Sequence, residues 1–70
     1  MTNQQTLGEQ RVQRSFNPSA NPMVEGLKIK YADIIDTLES MKTGTNARAI
    51  SLAQTEAETS CMYAVKALFI

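Results

Sequence analysis

The sequence predicts an all-α fold in which two antiparallel helices form a hairpin behind an N-terminal arm or short helix. Two observations predict the hairpin. Apolar residues recur at steps of three and four in two long segments, as they do along one face of a helix. Only the four residues TGTN, positions 43–46, separate these segments, and so short a connection makes the two helices antiparallel neighbours.

A third observation, the chain length, predicts that this hairpin assembles as a homo-oligomer. Seventy residues make one domain, which we expect to span residues 1–70. A core of this size rarely contributes more than about 3–5 kcal/mol without a disulfide, a metal or partner subunits. The single cysteine, Cys61, excludes a disulfide within the chain, and the absence of histidine argues against a zinc site. Partner subunits remain as the source of stability.

The first element is the N-terminal arm, residues 1–20, which is polar apart from a few isolated apolar residues. Thr6 could cap a single helical turn there, whereas Gly8 weakens any helix that includes it. The composition therefore leaves two alternatives open, an irregular arm and a short helix.

Helix one is predicted over residues 22–42. Asn21 can accept hydrogen bonds from the free backbone donors at the helix start, and Pro22 suits the first helical position. Gly44 marks the helix end. The apolar stripe of this helix has the spacing of a heptad seam, which Ile35 widens. The stripe consists of Val24, Leu27, Tyr31, Ile34, Leu38 and Met41.

Helix two is predicted over residues 46–69, with Thr45 or Asn46 as its cap. Its stripe again has steps of three and four, and the small residues in the stripe would allow a close approach to helix one. The stripe consists of Ile50, Ala53, Ala57, Cys61, Ala64 and Leu68.

Further apolar residues lie outside both stripes when each residue is rotated by about 100° around its helix axis. A surface helix should be polar there, whereas a helix that is apolar on two sides is buried on two sides. One hairpin cannot cover both sides, so we expect other copies to cover the second one. These residues are Ile29 on helix one and Leu52, Met62, Tyr63, Phe69 and Ile70 on helix two.

The charge balance argues against several classes of function. Seven basic and seven acidic residues cancel, whereas proteins that bind duplex nucleic acid usually carry a basic excess or stripe. The sequence has neither a signal-peptide pattern nor an apolar run near the roughly 18 residues of a membrane span. We therefore expect a cytosolic protein that binds neither duplex nucleic acid nor membrane.

The residues expected of an enzyme are missing from the sequence. It contains no histidine, and its glycine spacing matches neither a P-loop nor a dinucleotide fingerprint. The carboxylate pairs, Asp33 with Asp36 and Glu56 with Glu58, are better explained as solvated helix charges. Cys61 falls in the apolar stripe, where a packed and inert thiol is expected. We therefore expect no catalytic residue, no metal site and no cofactor.

The stretch RSFNPSANP, residues 14–22, contains the first candidate for a binding site. Phe16 precedes two Asn-Pro steps, and proline restricts both itself and the residue before it, so we expect a stiff extended segment. Two readings remain open. The segment could dock Phe16 on the hairpin, which periodicity alone favours, or it could hold the ring out for stacking on a base. Asn17 beside it can donate and accept hydrogen bonds.

Three cations are candidates for binding phosphate. Lys28 and Lys30 lie about 80° from the helix-one seam on opposite flanks, where they could border the core or meet a phosphate at a subunit junction. Arg48 lies in the first turn of helix two, where a cation opposes the helix dipole. An anion at this helix start would offset that repulsion and use the free backbone donors.

The segments RSFNPSANPMVEGLKIKYADIIDTL and RAISLAQTEAETSCMYAVKALF resemble the hairpin domain shared by the phage anti-CBASS and anti-Thoeris sponges, with the anti-CBASS type the closer match. The resemblance covers residues 11–69. It rests on the aromatic-Asn-Pro arm, the lysine on helix one, the Arg-Ala pair that opens helix two and the AVKA end, all in this order. It implies small helical hairpins assembled as hexamers in the cytoplasm of the infected bacterial host. These hexamers sequester cyclic oligonucleotide messengers of CBASS immunity without cleaving them.

The resemblance also implies a pocket for cyclic GMP-AMP-like dinucleotides between subunits. Phe16 would take the place of the arm aromatic that stacks on a base, although tyrosine is common there. Lys30 would be the phosphate-binding lysine, with Lys28 as its rival. Ala32 stands where a phosphate-facing threonine is expected in this pocket.

A second pocket, for cyclic triadenylate-like trinucleotides, is implied near the three-fold axis of the assembly. Asn17, Arg48 and Ala49 would line it. The alternative function is a structural or adaptor oligomer of a phage, which would use its second apolar face to bind another protein.

Overall fold

The computed structural model describes residues 4–70. Residues 1–3, which belong to the predicted arm, lie outside the described part of the chain. Three helices follow one another: α1 at Leu7–Arg11, α2 at Pro22–Met41 and α3 at Ala47–Ala67. Residues 4–70 contain no strand, which confirms the predicted all-α fold, and no helix among them is both long enough and apolar enough to span a membrane.

Helix α1 is the short helix that the sequence left open. The Thr6 hydroxyl accepts a hydrogen bond from the Glu9 backbone N–H at 3.1 Å, and the Glu9 carboxylate accepts one from the Thr6 backbone N–H at 2.9 Å. This reciprocal capping box satisfies two otherwise free donors. It stabilises a five-residue helix in spite of Gly8.

Gly8 lies buried where α1 packs on α2. A Cβ atom at this position would overlap the carbonyl group of Ala32, so only glycine permits this approach of the two backbones. The Gly8 backbone N–H donates to the Asp36 carboxylate at 2.7 Å, which fixes the helix further. The glycine that weakens α1 as an isolated helix is therefore what lets α1 pack.

We expect Gly8→Ala to lower the free energy of unfolding by about 1–3 kcal/mol, the usual cost of overpacking a buried contact. Gly26 provides a matched control, because it lies inside α2 with no atom within 4 Å of an added Cβ. Gly26→Ala should raise stability by about 0.5–1 kcal/mol through the higher helix propensity of alanine. Urea unfolding of both variants measures the difference, and equal stabilities would show that α1 does not pack as described.

Helices α2 and α3 are antiparallel, since their contacts run in opposite order along the two helices. The Tyr31 hydroxyl hydrogen-bonds to that of Ser60 at 2.7 Å, and four residues later the Ile35 carbonyl accepts from the Gln54 side chain at 3.1 Å. Buried residues from α2, from α3 and from the end of α1 form the core. The core consists of Val12, Ala32, Ile35 and Cys61, with Leu7, Tyr31, Ala57 and Val65 packed against it.

The buried face of α2 differs from the predicted seam. Ile34 and Met41 are exposed rather than buried. Helix α1 packs on one flank of α2, so the buried face of α2 is shifted toward α1. The residues buried on α2 are Val24, Lys28, Ala32 and Ile35. On α3, Ala53 is exposed, and its neighbour Gln54 is buried instead.

Gln54 is a buried polar residue that the sequence prediction missed. Its side-chain amide donates to the Ile35 carbonyl and to the Glu39 carboxylate at 3.1 and 3.0 Å. The hydrogen bonds from Gln54 and Lys42 hold the pKa of the Glu39 carboxyl below its ordinary value. The amide therefore joins α2 to α3 without leaving a buried donor unpaired.

The ends of the two long helices lie close to the predicted ends. Helix α2 stops at Met41 instead of residue 42, and α3 runs from Ala47 to Ala67 instead of from 46 to 69. Asn46 does not cap α3 with its side chain. That side chain closes the connection, because it accepts from the Thr43 backbone N–H at 2.6 Å and donates to the Met41 carbonyl at 3.0 Å.

The six apolar residues outside the predicted stripes are all exposed in the single chain, from 44% for Ile29 to 97% for Ile70. Five of them lie along α3 or directly after it. The apolar residues that the sequence placed outside the two stripes are therefore uncovered in the single chain.

Candidate functional site

The connection between α1 and α2 contains two turns, residues 13–20, called the Phe16 loop below. The backbone N–H of Phe16 donates to the Gln13 carbonyl at 2.8 Å, and that of Ala20 donates to the Asn17 carbonyl at 3.0 Å. Gln13 and Ala20 have left-handed backbone angles, φ 55° and 53°, which few non-glycine residues adopt. The prediction of an extended segment is wrong, because these two residues fold the chain back toward α2.

Phe16 presents its ring to solvent. The side chain is 62% exposed, so of the two readings of this residue the structure favours the one in which the ring is held out. The ring lines two cavities of about 320 and 290 Å³, close to the lower end of the roughly 300–1,000 Å³ typical of ligand pockets. Arg11 and Glu58 line the first, and Val24 and Phe69 line the second.

Lys28 lies beneath the Phe16 loop and is buried, with 6% exposure. Its ammonium group donates to the carbonyls of Gln13 and Phe16 at 2.9 and 2.6 Å. The same nitrogen lies 5.5 Å from the centre of the Phe16 ring, within range of a cation–π interaction. Lys28 therefore uses its charge inside the chain and does not present it to solvent as a phosphate ligand would.

Asn17 ties the Phe16 loop to the start of α2. Its side-chain NH₂ donates to the Asn21 carbonyl at 2.9 Å, while its side-chain oxygen accepts from the Asn21 backbone N–H at 3.3 Å and from the Ser19 hydroxyl at 3.1 Å. The residue is half-buried. It lies directly beside Phe16, as the sequence order requires.

Lys30 and Ala32 are placed differently from Phe16. Lys30 follows Lys28 by two residues, a rotation of about 200° around α2, so it is exposed on the opposite side of this helix. It shares a shallow cavity with Arg14 and with acidic side chains. Ala32 is 3% exposed beneath Gly8. Its expected phosphate-facing position is therefore covered by α1.

Arg48 and Ala49 are exposed in the first turn of α3, where Arg48 lines a shallow cavity with Leu52 and Thr55. This turn follows the end of α2, whereas Asn17 precedes its start. Twenty residues of α2 at 1.5 Å per residue separate the two by about 30 Å. The structure thus does not bring Asn17 and Arg48 together within one chain.

Two charged residues beside Phe16 were not among the sequence candidates. The guanidinium of Arg11, in the last turn of α1, contacts the Glu58 carboxylate of α3 at 2.6 Å and the Thr55 hydroxyl at 3.4 Å. Their pairing depends on how α1 packs, and no sequence pattern indicates this.

Cys61 lines the same cavity as Arg11 and Glu58. Burial raises the pKa of the Cys61 thiol, and the nearby charge of Lys28 opposes this shift. A raised pKa agrees with the inert thiol expected from the sequence.

One family model matches the chain. Its description is "Acb2/Tad1, hairpin domain", and the match covers residues 8–69, or 62 of the 70 residues. No curated protein and no solved structure gives a significant match. The matched range begins inside α1 and includes the Phe16 loop, both long helices and all seven residues that the sequence suggested for ligand binding.

Proposed function

The chain belongs to the Acb2/Tad1 hairpin-domain family, and on this basis we propose that it binds and sequesters cyclic di- and trinucleotide messengers of bacterial CBASS immunity without cleaving them. Its ligands would be cyclic GMP-AMP-like dinucleotides and cyclic triadenylate-like trinucleotides. It would act as a phage protein in the cytoplasm of the infected bacterial host.

The exposed ring of Phe16 is the structural observation that gives this proposal its strongest support. A phenyl ring that is 62% exposed and bordered by two cavities offers a stacking surface, and stacking is the interaction that every nucleobase can make. The hydrogen bonds from Lys28 to the loop carbonyls also fix the backbone that carries the ring. A preorganised aromatic surface loses little entropy when a base binds.

Lys30 is the lysine best placed to meet a phosphate of the dinucleotide, because it is exposed while Lys28 is buried. It lies on the opposite side of α2 from Lys28 and hence from the Phe16 ring. Within one subunit the two groups would therefore not share a pocket. A dinucleotide that contacts both would lie between the Phe16 loop of one subunit and the Lys30 side of another.

The trinucleotide pocket leads to the same conclusion about assembly. Asn17 and Arg48 lie about 30 Å apart along α2, so one ligand can contact both only where subunits meet. The exposed apolar residues of α3 provide a surface for this assembly, and burial of such a surface is the main driving force for association. We propose a homohexamer of single-domain hairpins, on the basis of the family resemblance.

The charge balance suits a ligand that carries two or three phosphates. Seven cations and seven anions give no basic surface of the kind that tracks duplex nucleic acid. A small anionic ligand instead needs a few cations at defined positions. The exposed lysine on α2 and the exposed Arg48 provide them at the two proposed pockets.

Calorimetry with the full chain tests this function. We expect saturable binding of cyclic GMP-AMP and of cyclic triadenylate, and no comparable binding of AMP, which has a base and a phosphate but no ring of nucleotides. After heat denaturation of each complex, chromatography should recover the ligand intact. A converted product would contradict sequestration, and absence of binding to either cyclic ligand would contradict the function as a whole.

The exposed apolar surface of α3 also favours a second candidate, a structural or adaptor oligomer that binds another phage protein. Such a protein would show no rise in melting temperature with any cyclic nucleotide. A saturable rise with cyclic GMP-AMP or cyclic triadenylate would exclude this alternative as the sole function.

A further inference from the structure

Lys28 connects α2 to the loop that carries the candidate stacking residue. Its ammonium group donates to two carbonyls of that loop, those of Gln13 and Phe16, at 2.9 and 2.6 Å. Hydrogen bonds from a charged donor are shorter and stronger than those between neutral groups. The Gln13 carbonyl also accepts from the Phe16 backbone N–H. The backbone of Phe16 is thereby fixed on both sides of its Cα atom.

The same ammonium group fixes the ring as well as the backbone. It lies over the Phe16 ring, 5.5 Å from the ring centre, where the attraction between a cation and an aromatic face favours one ring orientation. One face of the ring is directed at Lys28, and the side chain as a whole remains 62% exposed. The ring therefore has a defined position while most of the side chain stays accessible to a ligand.

Packing alone gives no reason for a lysine at this position. Lys28 is 6% exposed, and no carboxylate of the described residues lies within 4 Å of its ammonium group. A buried cation without an ionic partner is costly, and an apolar residue of similar length is often as stable or more so. Since the ammonium contacts are all with the Phe16 loop, the role of the charge lies there.

We propose that Lys28 is a positioning residue, which orients the Phe16 ring for stacking and does not contact the phosphates of the ligand. This inference rests on the proposed function, in which a base stacks on Phe16. It assigns different roles to the two lysines that the sequence left as rivals. Lys28 acts through Phe16, and Lys30 contacts the ligand directly.

The test replaces Lys28 with methionine, which keeps the length of the side chain and removes its charge. We expect Lys28→Met to weaken binding of cyclic GMP-AMP about tenfold in the wild-type background. In the Phe16→Leu background the same change should alter affinity less than about twofold, because the ring that Lys28 orients is gone. An equal loss in both backgrounds would mean direct contact with the ligand and would overturn the proposal.

Lys30→Met serves as the matched control, since it removes the same charge from an exposed position on the same helix. We expect it to weaken binding by a similar factor in both backgrounds. The melting temperature of Lys28→Met should stay within about 4 °C of wild type. A larger fall would identify Lys28 as a residue of the fold and would also overturn the proposal.

Hydrogen exchange of the ligand-free chain separates this inference from the proposed function. We expect faster exchange at the backbone amide of Phe16 in Lys28→Met, and no change at that amide in Lys30→Met. Unchanged exchange in Lys28→Met would overturn the positioning role. If the wild-type chain binds no cyclic nucleotide but exchange accelerates as expected, the proposed function fails while the orientation of Phe16 by Lys28 stands.

Discussion

Replacement of Phe16 by alanine is expected to weaken cyclic GMP-AMP binding by about 10- to 100-fold. The ring is exposed and held in place by Lys28, so its removal should cost the full stacking contribution of about 1–3 kcal/mol per base. Since the ring makes little contact with the core, the melting temperature of the free protein should change little. Isothermal titration calorimetry measures the affinity, and circular dichroism measures the melting temperature.

Met23→Ala is the matched control for Phe16→Ala. Met23 is exposed to nearly the same extent, 63% against 62%, and lies at the start of α2, close to the Phe16 loop. Its truncation should leave the affinity within about twofold, because a thioether chain offers no flat surface for stacking. Phe16→Tyr should bind at least as well as wild type, since it keeps the ring. Wild-type affinity in Phe16→Ala would exclude stacking at this residue.

Reversal of the charge at Arg48 is expected to weaken cyclic triadenylate binding by about 10- to 100-fold while cyclic GMP-AMP binding stays within about twofold. A hydrogen bond to a charged group contributes about 1.5–3 kcal/mol, and Arg48→Glu adds repulsion between the new carboxylate and the phosphates. We expect this selectivity because Arg48 belongs to the proposed trinucleotide pocket, whereas Phe16 and Lys30 form the proposed dinucleotide pocket. Calorimetry with both ligands measures the two effects in one preparation.

Lys66→Glu controls for the change in net charge, since Lys66 is exposed in the last turn of the same helix. We expect it to leave trinucleotide affinity within a few-fold of wild type at physiological salt, where charges separated by more than about 8 Å are screened. If Lys66→Glu and Arg48→Glu weakened trinucleotide binding alike, the effect would be one of overall charge, and the pocket would lie elsewhere. Loss of both ligands in Arg48→Glu would mean one shared pocket.

Local sequence signals predicted the long helices well. Asn21 and Pro22 define the start of α2 because capping involves only neighbouring residues, and the Asn21 side chain does accept from the Met23 backbone N–H at 2.8 Å. The short connection between α2 and α3 likewise predicted two antiparallel neighbouring helices, because it too is a local signal. By contrast, Ile34 was assigned to the core and is 47% exposed, since periodicity alone cannot detect a third helix packed on one flank.

The sequence suggested candidate residues for the site but not how the fold arranges them. The sequence suggested Phe16 for stacking, and it kept Lys28 as a rival to Lys30, because both lie at similar angles from the predicted seam. Only the packing of the Phe16 loop on α2 distinguishes a buried lysine from an exposed one. The Arg11–Glu58 pair joins residues 47 positions apart, and contacts of that range leave no periodic signal in one sequence.

The close packing of Gly8 against Ala32 links the position of α1 on α2 to the shape of the cavity beside Phe16. Any side chain at position 8 would need the space that the backbone carbonyl of Ala32 occupies, so a substitution there would displace α1. Arg11 sits at the far end of α1 and borders the hollow beside Phe16, and it would shift too. A substitution at position 8 would therefore reshape that cavity, although Gly8 itself does not line it.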